Sequence, residues 1–212
     1  MLMHQGGGAP SASSTPQLIS LAAGSYSNYA LPAGTFSWIR FSIYGAGGGA
    51  GGGSSGGGGA CRRTAWLPLS GAATVSSITI GAGVTGATGN GSSVTFAGVT
   101  YTAGPGAFAG AGGTASGGTG GESYSGGAGG SFSGTVLAGG APASPDGAGG
   151  ANSGATPGVG ATPSVRGLAA PRGGAANLVG SASAGTGWGA GAGSPTSGTI
   201  PGNDGRVEIE LA

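Results

Sequence analysis

Few residues in this chain could do chemistry, and their types and spacing limit what kind. His4 is the single histidine. A Ser/His/Asp triad or a histidine-based metal site would have to use it. It lies in a small, polar stretch near the start, where a solvated side chain is the simpler reading. The acids Glu122, Asp146, Asp204, Glu208 and Glu210 are scattered. Glu208 and Glu210 share a strand face two residues apart, which formally permits paired-carboxylate hydrolysis. Solvent-facing charges on an edge strand explain them better. Gly81-Ala82-Gly83-Val84-Thr85-Gly86 fits the dinucleotide fingerprint. That fingerprint needs a helix N-terminus to meet the pyrophosphate and an acid roughly 20 residues on. Ala87-Thr88-Gly89-Asn90-Gly91 follows instead, which breaks a helix, and the next acid is Glu122. The chain has no Lys, so a phosphate-loop lysine is excluded. Asn90-Gly91-Ser92 fits a glycosylation sequon, but Asn-Gly is first a turn signal. The expectation is a chain that is not an enzyme and takes no cofactor or metal.

What remains is contact chemistry. Arg62, Trp66, Tyr124, Phe132, Arg166, Arg172 and Trp188 are large groups among small ones. Aromatics and Arg dominate binding hot spots, and sugars stack on aromatic faces. Tyr124, Arg166, Arg172 and Trp188 are candidates for receptor contact, with gap-filling in a backbone-rich core as the alternative. Phe132 and Trp66 read as core.

These groups are carried on an unusual chain. Of 212 residues, 57 are Gly, several times the usual share of about 7%. Leu, Ile, Val and Phe together fall below the level of about 20% that signals disorder when net charge is high. The formal net charge is only +1, so that second condition fails. Near-neutrality also argues against a nucleic-acid partner, which needs a basic stripe; only Arg62-Arg63 is locally basic. The single cysteine, Cys61, excludes an internal disulfide. The opening Met1-Leu2-Met3-His4-Gln5-Gly6 does not read as a secretory signal. No apolar run approaches the roughly 18–20 residues of a membrane span, so membrane insertion is not expected.

The organising stretch is Phe36-Ser37-Trp38-Ile39-Arg40-Phe41-Ser42-Ile43-Tyr44. Ile39, Phe41 and Ile43 fall on one strand face and Trp38, Arg40, Ser42 and Tyr44 on the other. From Gly45 to Gly59 nothing is larger than Ala or Ser. Arg206-Val207-Glu208-Ile209-Glu210-Leu211 alternates in the same way and offers that strand a partner, with its three charges facing out. Leu18 to Leu21 and Ser77 to Ile80 read as short strands. Pro68 makes Cys61 to Leu69 an edge strand or extended segment. Ser93 to Phe96 and Val99 to Thr102 flank Ala97-Gly98 as a hairpin. No 3.6-residue period occurs, which predicts essentially no helix.

Residues 104–200 hold too few large side chains to offset backbone ordering by burying them. Gly117-Gly118-Thr119-Gly120-Gly121 and Gly126-Gly127-Ala128-Gly129-Gly130 keep one three-residue register. A three-residue extended helix presents every third residue on one edge, and edges of Gly let neighbours approach and exchange backbone hydrogen bonds. The expected fold is all-β: a small antiparallel sheet or sandwich closed by the first and last strong strands. It holds a glycine-rich body of extended, polyglycine-II-like segments. The organisation expected is an N-terminal arm over 1–17 and one domain over 18–212. In that domain the sheet comes from 18–103 and 205–212, and the body from 104–200.

Three motifs in order resemble a family. They are Pro32-Ala33-Gly34 with the strand to Tyr44 and its Gly burst, then Ile78-Thr79-Ile80-Gly81-Ala82-Gly83 followed by Gly91-Ser92-Ser93-Val94-Thr95-Phe96, then Gly205 to Leu211. This order, across residues 24–212, is similar to the glycine-rich domains of bacteriophage tail fibres, adhesins and minor tail proteins. The resemblance implies a structural virion protein contacting the host surface. Its loops would hold the recognition surface, and a bacterial surface glycan or outer-surface protein would be the target. It further implies docking onto other virion proteins, through residues 1–17, with a homotrimer as a candidate assembly. A capsid decoration or head-fibre protein of the same fold is the alternative. An ice-binding or cell-wall glycine-rich protein is a third, disfavoured because the repeat is broken.

Overall fold

The computed structural model describes residues 16–69, 74–130, 137–153, 155–160, 183, 185–195 and 198–212. Among them there is no helix. The chain opens with β1 (Gln17–Leu21), β2 (Gly24–Ala30) and β3 (Trp38–Tyr44). Then come β4 (Ala50–Gly51), β5 (Cys61–Arg63), β6 (Leu67–Pro68) and β7 (Thr74–Ile80). β8 (Ser92–Phe96), β9 (Val99–Ala103), β10 (Ala115–Ser116) and β11 (Glu122–Tyr124) follow, and β12 (Thr199–Ile200) and β13 (Arg206–Leu211) close the series.

Two antiparallel sheets carry the apolar core. The first runs β1-β13-β3-β5-β11, with β6 on the edge of β3 beyond β5. The second runs β10-β9-β8-β7-β2. Ile39, Phe41, Ile43, Val207, Ile209 and Leu211 of the first sheet pack on Val75, Ile78, Ile80, Val94, Phe96 and Tyr101 of the second. Phe41 and Phe96 meet with ring centroids 5.6 Å apart. β13 lies opposite β3 with Leu211 against Ile39, Ile209 against Phe41 and Val207 against Ile43. The hairpin joining β8 to β9 turns on Ala97 and Gly98, both at positive φ (48° and 78°). A two-residue turn of that hand matches the twist of its strands.

The rest is held by backbone. Its centre is residues 55–60, which belong to no sheet. Ser55 and Gly58 donate to the carbonyls of Gly130 and Gly127, Gly56 and Gly59 to Ala192 and Gly189, Gly57 and Ala60 to Ala107 and Gly104. In return, the carbonyls of Gly57 and Ala60 accept from Gly48 and Gly45, and those of Gly56 and Gly59 from Gly140 and Ala143. Gly113 donates to Gly58. Every third residue therefore turns to the same neighbour, the periodicity expected of a three-residue extended helix. Six stretches surround this one, around residues 45–49, 104–107, 110–113, 127–130, 140–143 and 189–192. The bonded body thus takes in 45–60 as well as segments beyond residue 104, because the first glycine tract supplies its central rod.

Such spacing leaves no room for side chains. A Cβ on Gly58 would overlap the carbonyl group of Ala141, which is main chain and cannot swing aside. At Gly52, by contrast, a Cβ would meet nothing within 4 Å, although φ is +58°. Gly58→Ala is expected to cost about 3 kcal/mol or more through forced backbone displacement. Gly52→Ala is expected to cost only the left-handed penalty of about 1–2 kcal/mol. Urea unfolding of the two variants measures the difference; equal losses would mean the body is not close-packed around residues 55–60.

Candidate functional site

The sandwich buries one face of the first sheet and leaves the other for contact chemistry. Register fixes which residues share that outer face. One cross-strand row reads Tyr124, Cys61, Tyr44, Arg206. The next reads Glu122, Arg63, Ser42, Glu208, Ser20. Beyond it Arg40 lies opposite Glu210, and Glu210 opposite Leu18.

The charges on this face are not solvent-facing edge residues. β13 pairs on both sides, with β1 and β3, and is an internal strand. Glu208 and Glu210 are 8% and 7% exposed. Glu210 accepts from the Arg40 guanidinium at 2.5 Å and lies 3.6 Å from that of Arg63. Glu208 lies 3.5 Å from Arg206 and takes a 3.4 Å hydrogen bond from the Tyr44 hydroxyl. The alternation was legible in sequence. That β1 would cover the far edge of β13 was not, and this is why the edge-strand reading of the two glutamates fails. Arg63 to Glu122 is longer, at 3.9 Å, with Glu122 about half exposed, so it adds little.

Trp66 is also placed differently from the core position expected of a large apolar side chain. β5 pairs with β3 so that Ser42 faces Arg63, but three residues back along β3 the partner has slipped by one, Ile39 facing Leu67. The extra residue is a β-bulge, which re-aims side chains and bends the strand. Thr64 holds it: its N–H donates to Phe41 O and its hydroxyl accepts from Phe41 N–H. Trp66 therefore stands over the outer face, half-buried, with the Arg40 guanidinium 4.3 Å from its ring centroid. Trp38, Arg40, Arg63, Thr64, Ala65, Trp66, Gly121 and Glu122 line an open depression of about 550 Å³ there.

Of the four receptor-contact candidates, two lie in the described structure. Tyr124 is half-buried against Tyr44, Cys61 and Ala143. Trp188 is 46% exposed, with the Arg206 guanidinium 4.2 Å from its ring centroid. They sit toward opposite ends of one cross-strand row, both at the junction of sheet and body. Arg166 and Arg172 lie outside the described residues, as does Phe132.

Arg62 takes a structural part. Its register partner is Ile43, so it points between the sheets, 3% exposed. Each of its nitrogens donates to main-chain carbonyls: Nε to Gly117, Nη1 to Arg63 and Glu122, Nη2 to Gly117 and Gly120. Gly117, Gly118, Gly120 and Gly121 all have positive φ, the conformation that aims this loop's carbonyls at the guanidinium. No sequence motif announces such a cage.

The dinucleotide-like stretch Gly81–Gly86 leads into a turn and not a helix. Asn90 is not in a turn either; its N–H donates to Ala82 and its carbonyl accepts from Ala46, in the extended body. Among the described residues no cluster of His, Cys, Asp or Glu could hold a metal. Burial pushes the Cys61 thiol far above its ordinary range; Arg63 nearby opposes this, and the carboxylates of Glu208, Glu122 and Asp146 add to it. No protein-family model matches the chain, and no curated protein matches it.

Two outcomes are expected. Arg62→Lys offers three donors where five are used, and the stranded carbonyls should cost about 2–3 kcal/mol in chemical denaturation. A stability unchanged from wild type would refute the cage. Cys61 should resist iodoacetamide in the native protein at pH 8 and react once unfolded, since the thiolate is the reactive form; rapid native labelling, read by mass spectrometry, is the contrary result.

Proposed function

We propose that this chain is a structural virion protein of a tailed bacteriophage, a tail-fibre or tail-tip adhesin subunit that touches the host surface through the turns at the far end of its glycine body. The observation that supports this is where those turns lie. Among the described residues, body segments leave the sandwich end, reverse and return. The turn at Gly51–Ser54 pairs with Thr199 through Gly51. Gly49 donates to Ala87, Thr85 bridges Pro201, and the N–H of Phe108 donates to the Thr88 hydroxyl. Gly129 donates to Gly110, and Asn152 to Ala128 just before the Ser153–Thr156 turn. These reversals are thereby gathered at one end, while Gly45, Ala60, Gly104, Gly189 and Gly205 mark the sandwich end.

A scaffold bonded through its main chain constrains its rods and leaves its turns free to carry almost any side chain. That division suits recognition loops on a rigid support. Phe108, 36% exposed, is an apolar anchor at this tip. The order of motifs shared with phage glycine-rich domains points the same way. This reading adds the distal turns to the contact candidates Tyr124, Arg166, Arg172 and Trp188.

Virions carrying Phe108→Ser together with Thr156→Lys should adsorb to host cells about tenfold less well. Both positions are exposed, so the unfolding free energy should change by no more than about 0.5 kcal/mol. Normal adsorption by that variant would remove the distal turns from recognition and favour a capsid decoration or head-fibre protein.

A further inference from the structure

The depression on the outer sheet face lies at the end of β3 away from the body, since β3 runs from Trp38 beside the depression to Tyr44 at the first glycine rod. It is therefore at the opposite end of the molecule from the distal turns. We propose that it is a binding site for an uncharged saccharide.

Its size of about 550 Å³ lies inside the range of about 300–1,000 Å³ typical of small-ligand sites. Its chemistry narrows the class. Two indoles, Trp38 and Trp66, line it, with the Arg40 guanidinium over one face of Trp66; bare indole surface carries a negative quadrupole, to which the polarised C–H groups of a pyranose ring are drawn. Around them stand planar polar groups suited to vicinal hydroxyls: the guanidinium of Arg63 and the half-exposed carboxylate of Glu122. Arg40 and Arg63 are balanced by Glu210 behind them and by Glu122 at the rim. Those pairs leave no surplus positive charge to draw an anionic sugar or a phosphate. A ligand with one apolar face and many neutral donors and acceptors fits both halves of the lining.

The site is built in advance. The bulge at Thr64 lifts Trp66, Arg40 is fixed between the Trp66 ring and Glu210, and Arg63 is held by the buried Glu210. A pre-formed site avoids part of the ordering cost of binding. This inference does not depend on the distal-turn reading, because it concerns a different surface and is read by a different assay.

The experiment uses the purified full-length chain and neutral trisaccharides of glucose, galactose, mannose and N-acetylglucosamine, with trigalacturonate as the acidic counterpart. Binding is read by saturation-transfer NMR and by tryptophan fluorescence titration. At least one neutral probe should bind with a dissociation constant of about 1 mM, and trigalacturonate should bind no more tightly. Trp66→Ala and Ala65→Tyr should each weaken the response at least about tenfold. Ala65 is an exposed rim residue, so its Tyr variant fills the depression without touching the core and stays informative if Trp66→Ala does not fold. The proposal is overturned if no neutral probe gives saturation transfer, if Ala65→Tyr binds as the wild type does, or if trigalacturonate binds more tightly than every neutral probe.

Discussion

The structure depends on the main-chain hydrogen bonds of one short rod, residues 55–60. It donates to three neighbours and accepts from three others, so it occupies the position that a hydrophobic core occupies in an ordinary domain. The enthalpy of such bonds is large but their net worth is only about 0.5–1.5 kcal/mol each. What lets them accumulate is density: rods without side chains bring their backbones together, and nearly every buried donor finds a carbonyl. Glycine also loses more conformational freedom on folding than any other residue. A body of this kind therefore stands only if its rods are held in register from outside.

The sandwich supplies that register. Each of β3, β7, β9 and β11 runs directly into a glycine rod, and β5, β8 and β13 are entered from one. The apolar core between the two sheets fixes the ends of the rods, and the three-residue period then carries the alignment to the far turns. Arg62 performs a similar service at the junction, tying the loop between β10 and β11 to β5 through carbonyls alone. Two kinds of order are thus joined in one chain. One is specified by side-chain burial and the other by the absence of side chains.

The division has a functional corollary. Close packing of main chain forbids change inside the body and permits it at the tips. The outer face of the first sheet is different again. Its ion pairs and aromatic stacks are fixed by cross-strand register and by one bulge, and they leave a depression with apolar walls and balanced charge. The two surfaces lie at opposite ends.

Much of this was legible in the residues. The alternation of Ile39, Phe41 and Ile43 and of Val207, Ile209 and Leu211 predicted two facing strands, because a period of two puts every second side chain on one side. Ala97-Gly98 predicted the hairpin, and the glycine register of 126–130 predicted a rod bonded in threes; the same register at 117–121 instead forms the positive-φ loop around Arg62, because the guanidinium draws its carbonyls inward. These are local properties, set by a few adjacent residues. The environment of Glu208 and Glu210 was not local: it depended on β1 covering β13 from nearly two hundred residues away. The outward turn of Trp66 came from a one-residue slip between β5 and β6 that parity along the chain could not register. Which rods touch followed from bonds between segments whose sequences are nearly alike. Glycine tracts carry no side-chain code for choosing a partner, so the choice was made by the folded sheets that anchor them.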